Sequence, residues 1–448
     1  MTRPGFGTDG VRGVANVELT PELVTALGRA TARVLRPSAL LVGRDTRRSG
    51  PMLQAALAAG VAAEGVDVVD LGVLPTAGVA FSAEHERVPA AMVSASHNPF
   101  YDNGIKLFDA NGMKLSPEAE KEIEGELDRL LEAGVPPAER DRAVGWLGVD
   151  GEAVGRYSDH LVAAIGGRRL DGLVIALDCA NGAASRVAPQ VLGELGANVH
   201  VMSAEPDGTN INAACGSTQP GRLAEAVPQL GADLGLAFDG DADRLVAVDR
   251  TGAVLDGDVL LAIFAVDLRS RGMLEGDAVV VTVMTNLGFR LGMASRGIAV
   301  HETPVGDRHV LAALDSEGLA LGGEQSGHIV FRRLATTGDG ILTGILLADT
   351  VARAGADLAS LAQGLVERVP QVLVNVAVAR PERLAAADEV WRAVAAIESE
   401  LGGTGRVLLR ASGTEQIVRV MVEAATAAAA TDAAGRLCQV VEGALGGG

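Results

Sequence analysis

The sequence predicts an α/β fold: three similar α/β domains with mixed sheets, followed by a smaller C-terminal α+β domain. Two observations carry this. An apolar strand–helix–strand unit recurs three times along the chain, and each copy runs on into a further strand that ends in a polar loop. The length of 448 residues agrees, because one hydrophobic core rarely serves so long a chain and two to four domains are expected.

The first unit opens with Leu40-Leu-Val-Gly-Arg-Asp45, passes through an Ala-rich stretch to Gly65, and continues as Val66-Asp-Val-Val-Asp-Leu71. The second reads Leu173-Val-Ile-Ala-Leu-Asp178, a helical segment, Gly196, then Asn198-Val-His-Val-Met202. The third reads Ala278-Val-Val-Val-Thr-Val283, a shorter helix, Gly297, then Ile298-Ala-Val-His301. Apolar runs joined by helices imply parallel strands covered on their faces, and each Gly stands where a left-handed helix cap is expected. The polar loops follow at Ser94-Ala-Ser96-His-Asn-Pro99, Asp239-Gly-Asp-Ala-Asp-Arg244 and Glu324-Gln-Ser-Gly-His328. Loops beyond the carboxyl ends of parallel strands are where open α/β sheets bind ligands. Ile105–Leu115 and Leu245–Leu255 both read as hairpins turning at Gly. Interruptions in the pattern place the domains at 1–150, 151–255, 256–368 and 369–448. In the last, strands at Val372–Val378, Arg406–Leu409 and Ile417–Val422, with a closing helix from about Asp432, suggest an antiparallel sheet.

Composition narrows the function. Asp and Glu number 57 against 38 Lys and Arg, a formal charge of −19, so a broad basic face for nucleic acid is not expected. Three widely spaced Cys give no disulfide framework, and no segment reads as a signal peptide or membrane span. The expectation is a cytoplasmic protein with no nucleic-acid or membrane partner. Only Lys106, Lys114 and Lys121 are Lys, and every other basic residue is Arg.

Asp239, Asp241 and Asp243 crowd three carboxylates at alternate positions, which is costly unless a cation sits among them. An EF-hand would need Gly and Glu where Arg244 and Arg250 stand, so Mg²⁺ poised for phosphoryl transfer fits better than a calcium module. Ser96 lacks a Gly-x-Ser-x-Gly elbow and suits a phosphate carrier better than an acyl-transfer nucleophile. Lys106 can neutralise charge, or serve as acid or base if its pKa is lowered. Arg410-Ala-Ser412-Gly413-Thr414, with Arg419, makes a cradle for a phosphate dianion. Glu324, Ser326 and His328 offer donors and acceptors for sugar hydroxyls. Gly5-Phe-Gly-Thr-Asp-Gly10 follows too few residues for a leading strand and is not a dinucleotide site.

These motifs, with Gly7-Thr-Asp-Gly-Val-Arg-Gly13 and Asp102-Asn-Gly-Ile-Lys106, stand in an order that resembles the α-D-phosphohexomutases over essentially the whole chain. The resemblance implies four domains around a central cleft, a phosphoserine at Ser96, and Mg²⁺ held by its phosphate with Asp239, Asp241 and Asp243. It implies sugar contacts from Glu324, Ser326 and His328, with Asp307 and Arg308 in a sugar-specificity loop at Thr303–Arg308. Arg410, Ser412, Gly413, Thr414 and Arg419 then correspond to a distal phosphate site, and Arg244, a substrate-binding candidate, joins Arg12, Lys106, Arg308, Arg410 and Arg419 in making the cleft locally basic. Arg12, Lys106 and His328 are candidates for proton handling. Ala411 and Gln416 depart from the family's frequent Pro. The implied reaction interconverts a hexosamine 6-phosphate and 1-phosphate, with a sugar 1,6-bisphosphate as activator, in a monomer or homodimer that feeds cell-wall precursor synthesis. Gln325 and Tyr101-Asp-Asn-Gly104 favour the amino sugar over glucose or mannose, and a Mg²⁺-dependent phosphatase is the alternative from another class.

Overall fold

The computed structural model describes residues 4–7, 9–133, 144–412 and 416–446. Two compact units emerge, one comprising Met1–Thr282 with Thr303–Gln363, the other Val283–Glu302 with Gly364–Gly448. The fold is α/β, as the repeat predicts.

In the large unit the first sheet has seven strands, in the order Phe6–Gly7, Gly10–Val14, Asp102–Phe108, Ala90–Val93, Ala39–Arg44, Asp67–Val73 and Leu147–Val149. Its parallel half comes from the repeat, and the strands Gly10–Val14 and Asp102–Phe108 add an antiparallel half. The second sheet repeats this core order as Leu245–Asp249, Leu234–Phe238, Val174–Asp178 and Asn198–Met202, with Val254–Leu255 outside. In the third, Ala278–Thr282 lies parallel to Leu321–Gly323, which is antiparallel to Ile329–Phe331. Each polar loop thus follows the strand that joins a parallel to an antiparallel neighbour. Gly65, Gly196 and Gly297 adopt φ of 81°, 96° and 67°, as expected of left-handed caps.

Two details differ from the sequence reading. The Leu245–Leu255 hairpin forms around Gly252, but its counterpart in the first domain is reduced to an isolated bridge between Phe108 and Lys114. There Asp109 gathers the backbone N–H groups of Asn111 and Met113, and helix Pro117–Ala133 begins before a second strand can extend. The C-terminal helix starts at Ala427, because Thr426 caps it through a 3.2 Å bond from Ala429 N–H.

The small unit carries the antiparallel sheet Gln371–Ala377, Ile417–Glu423, Arg406–Ala411, backed by helices Asp388–Leu401 and Ala427–Leu445. Buried Glu423 accepts bonds from Asn286 Nδ2 at 2.8 Å and Leu287 N at 3.1 Å, and pairs with Arg406. Arg406 also donates to the carbonyls of Val283 and Thr285, so residues 283–302 are stitched to this sheet. No described helix is long and apolar enough to cross a membrane.

Helices Pro21–Leu35 and Gly50–Ala62 cross closely because both contact points are Gly. A Cβ on Gly28 would lie 2.4 Å from Leu57 O, and one on Gly60 would lie 2.1 Å from Thr25 O. Gly60→Val is therefore expected to destabilise the large unit by about 2–3 kcal/mol, read as a lower urea midpoint.

Candidate functional site

Ser96 lies just beyond the strand Ala90–Val93, at φ 51°, a left-handed geometry that costs a non-Gly residue about 1–3 kcal/mol and needs outside support. Arg47 supplies it. This fully buried guanidinium donates to Ser96 O at 2.7 Å, Asn98 O at 2.9 Å, Asp102 O at 3.1 Å and Pro99 O. Asp45 holds Arg47 Nε at 2.8 Å and accepts Ser94 Oγ at 2.7 Å. From the second domain, Asn212 Nδ2 donates to the same Ser96 and Asn98 carbonyls, at 2.9 and 3.0 Å. The result is a serine hydroxyl held 2.5 Å from Asp239 Oδ2.

Asp239, Asp241 and Asp243 follow the strand Leu234–Phe238 and are all buried, with ligand oxygens within 4.8 Å of one another. Burial, then the charges of Asp243 and Asp241, pushes the Asp239 carboxyl well above the usual carboxylate range. For Asp241 burial acts the same way but is outweighed by Lys106 and by hydrogen bonds from Lys106 and Thr76, so its carboxyl stays below that range. Lys106 Nζ sits 2.9 Å from Asp241 Oδ2 and 3.4 Å from Asp243 Oδ2, and Thr76 Oγ1 is 2.7 Å from Asp241 Oδ2. Asp241 Oδ1 and Asp243 Oδ1 remain buried without a hydrogen-bond partner. Two orphaned carboxylate oxygens in a triad that also carries the serine hydroxyl suit a hard divalent cation.

Burial alone would favour neutral Lys106, but Asp241, Asp9 and Asp243 outweigh it and hold the ammonium well above its ordinary range. In this arrangement the Lys106 ammonium offsets charge on the buried carboxylates around it. Asp9 also pairs with Arg12 and accepts Lys114 Nζ at 2.6 Å. Lys114 reaches Asp307 at 2.6 Å, and Asp307 Oδ2 lies 3.8 Å from His328 Nε2. Gly338 N–H donates to that Nε2 at 3.1 Å, leaving the His328 Nδ1 edge 3.7 Å from Asp243 Oδ2. Glu324 accepts Gly306 N–H at 3.0 Å and Ser326 Oγ at 3.2 Å. Arg244 N–H bonds Asp239 Oδ1 at 3.2 Å, and Arg308 Nη2 bonds Glu120 at 2.7 Å. Arg12, Arg244 and Arg308 each keep a buried Nε–H without a hydrogen-bond partner.

Ser96, the Asp triad, Arg12, Lys106, Arg244, Asp307 and His328 are linked by these contacts, whereas Glu324 and Ser326 bond each other and the Gly306 backbone, and Arg308 bonds Glu120 and Leu115 O. Arg410, Ser412 and Arg419 belong to the small unit, where strand register sets Arg410 opposite Arg419. Gly413 and Thr414 lie outside the described residues. Sequence reading overlooked Asp9, Asp45, Arg47, Thr76, Lys114, Asn212 and Gly338. It also overlooked His97, whose Nδ1 lies 3.4 Å from Ser96 Oγ and whose pKa is lowered to about 4 by burial, then by Arg244 and Arg12. Asp45 left a signal as the polar end of the first repeat strand, Asp9 and His97 stand inside the motifs at 7–13 and 94–99, and Lys114 is one of only three Lys. Arg47→Met would remove the cation beside buried Asp45 and the guanidinium donors from four backbone carbonyls, of which those of Ser96 and Asn98 keep Asn212, and is expected to cost about 3–5 kcal/mol in urea unfolding.

Four domain profiles described as phosphoglucomutase/phosphomannomutase match in chain order: α/β/α domain I at residues 3–133, domain II at 155–252, domain III at 256–369 and the C-terminal domain at 373–440. A phosphoglucosamine mutase of Desulforudis audaxviator is 50% identical over 441 residues, covering 97% of this chain and 97% of its own. One of Saccharopolyspora erythraea is 51% identical over 443 residues, covering 97% and 98%. A solved phosphoglucomutase/phosphomannomutase family protein of Burkholderia thailandensis has a TM-score of 0.81 at 27% identity, covering 98% of this chain and 97% of the other. With the family's four domains matched in order and half of all positions shared with full-length relatives, the chain belongs to the phosphoglucomutase/phosphomannomutase family.

Proposed function

We propose that this protein interconverts glucosamine 6-phosphate and glucosamine 1-phosphate through a phosphorylated Ser96. The observation that carries the reading is the Ser96 hydroxyl fixed 2.5 Å from Asp239 at the head of a buried carboxylate triad. The amino sugar as substrate is supported by relatives about half identical over nearly the full chain that bear the name phosphoglucosamine mutase.

In the forward direction the bond from phosphorus to Ser96 Oγ breaks and a new one forms to the free 1-hydroxyl of glucosamine 6-phosphate, giving a 1,6-bisphosphate. The bisphosphate turns over, its 6-phosphoryl group passes to Ser96, and glucosamine 1-phosphate leaves. Over the cycle the proton lost by one sugar hydroxyl is returned to the other. A sugar 1,6-bisphosphate added from outside loads an unphosphorylated Ser96 by the same transfer, which makes it the activator.

The chain's own groups divide the work. Arg47 and Asn212 hold the serine loop so that its oxygen needs no rearrangement before reaction. Lys106, Arg12 and Arg244 keep the surroundings of the transferring group cationic. Glu324, Ser326, His328, Asp307 and Arg308 take the sugar. Arg410, Ser412, Gly413, Thr414 and Arg419 take the phosphate that is not reacting. Asp239, Asp241 and Asp243, with a phosphoryl oxygen on Ser96, would hold Mg²⁺, which when bound supplies neutralisation of charge on the transferring group.

Ser96→Ala is expected to abolish turnover and to lack the single phosphoryl group that intact mass should show on the wild-type protein. Near-normal mutase activity in that variant would sink the mechanism. A panel assay with glucosamine, glucose and mannose phosphates should show preference for the amino sugar, whereas steady release of inorganic phosphate would point to a phosphatase. Asp243→Asn should lower Mg²⁺ affinity by about 100-fold or more in titration calorimetry, because outer-sphere losses alone cost about 10–100-fold.

A further inference from the structure

We propose that Lys114 is a positioning residue for sugar recognition, tying the Thr303–Arg308 loop to the serine-bearing domain. The inference rests on the mutase reading above and deepens it. Lys114 Nζ lies 2.6 Å from Asp9 Oδ1 and 2.6 Å from Asp307 Oδ2, and its side chain is only 8% exposed. It therefore bridges one carboxylate of the first domain and one of the third, with no hydrogen bond of its own to Ser96 or to the Asp triad among those described.

A second tether runs beside it. Arg308 Nη2 donates to Leu115 O at 3.1 Å and to Glu120 Oε1 at 2.7 Å. Both tethers attach the same loop to the same stretch, residues 114–120. On its other side the loop is held through Gly306 N–H to Glu324 Oε1 at 3.0 Å. Gly306 has φ 127°, so the loop turns through a conformation that only Gly adopts readily and that neighbouring contacts must select. The position of the loop relative to Glu324 and His328 is thus set from the first domain, through Lys114.

The residue type fits this role. Of 38 basic residues all but three are Arg, and two of the three Lys, 106 and 114, sit in this network between paired carboxylates. A compact ammonium with three donors can meet two carboxylates in a closed slot, whereas a planar guanidinium needs more room and a fixed fork geometry. Chain-wide preference for Arg makes the exceptions informative.

The test uses full-length protein loaded with phosphate on Ser96, and the variants Lys114→Met, Asp307→Asn and the pair combined. KM and kcat are measured for glucosamine 1-phosphate and glucose 1-phosphate, with intact mass reporting Ser96 phosphorylation. Lys114→Met should raise KM for the amino-sugar phosphate by about tenfold while kcat changes by less than about threefold, and should narrow the preference over glucose. Lys114→Arg should not restore it. The double variant should be no worse than the worse single, since both changes break one link. Unchanged KM and preference in Lys114→Met, a fall in kcat alone, or additive effects in the double variant would overturn the proposal. Should Lys114→Met not fold, Glu120→Gln cuts the second tether and should raise KM in the same direction by a smaller factor; no rise would count against the loop's control from the first domain. Wild-type protein with no activity on the amino-sugar phosphate would remove the functional reading and this inference together. An active wild type beside an unaffected Lys114→Met removes the inference alone.

Discussion

Three carboxylates buried within 4.8 Å of one another are the constraint around which the large unit is organised. Left alone, such a cluster would be too costly to ionise, and the rise in the Asp239 pKa is the symptom. The compensation comes from a different domain. Lys106 projects from the strand Asp102–Phe108 onto Asp241 and Asp243, and Thr76, at the start of its helix, caps Asp241. The first two domains are therefore docked by the same interactions that make the triad tolerable, and the serine at their junction reaches Asp239 as a consequence of that docking.

The same logic extends outward by alternation of charge. From Asp241 the sequence of contacts runs to Lys106, Asp9, Lys114, Asp307 and then His328. From Asp241 to Asp307 each ion touches one of opposite sign, which is the condition under which charge withdrawn from water is retained rather than neutralised by a pKa shift. Asp9 shows the balance: burial would raise its pKa, yet Lys106, Lys114 and Arg12 hold it far below the carboxylate range. A net charge of −19 coexists with this network because neutrality inside it is settled pair by pair.

Legibility followed the range of the interactions. The strands Ala39–Arg44, Val174–Asp178 and Ala278–Thr282 were readable because an apolar run bounded by Gly and Asp is a local signal. So were the Asp triad and Ser96, whose chemistry is spelled within a few residues. The strand Gly10–Val14, second from the edge of its sheet, was not, since it is short, Gly-rich and stabilised by pairing with Asp102–Phe108, far along the chain. Arg47 escaped for the same reason: its partners at Ser96, Asn98 and Asp102 are separated from it by about fifty residues, and nothing local distinguishes it from a surface Arg. Lys114 and Asp307 are 193 residues apart in the chain and meet only after the first and third domains pack.

What the network leaves unsatisfied is as informative as what it pairs. Guanidinium Nε–H groups on Arg12, Arg244 and Arg308 and carboxylate oxygens on Asp241 and Asp243 are buried without hydrogen-bond partners, although Arg244 Nε and Asp243 Oδ1 face each other as an ion pair at 3.8 Å. Native interiors rarely tolerate such groups, because each gives up its hydration without return. Donors of one kind and acceptors of another, left over in the same network, are complementary to a ligand that brings both an anion and a cation. A phosphorylated sugar with a divalent ion has that composition, whereas a neutral sugar would answer only the weaker hydrogen-bonding groups at Glu324 and Ser326. The unmatched groups thus argue for phosphoryl chemistry independently of sequence similarity, and they place the strongest demand on the phosphate and the metal rather than on the sugar ring.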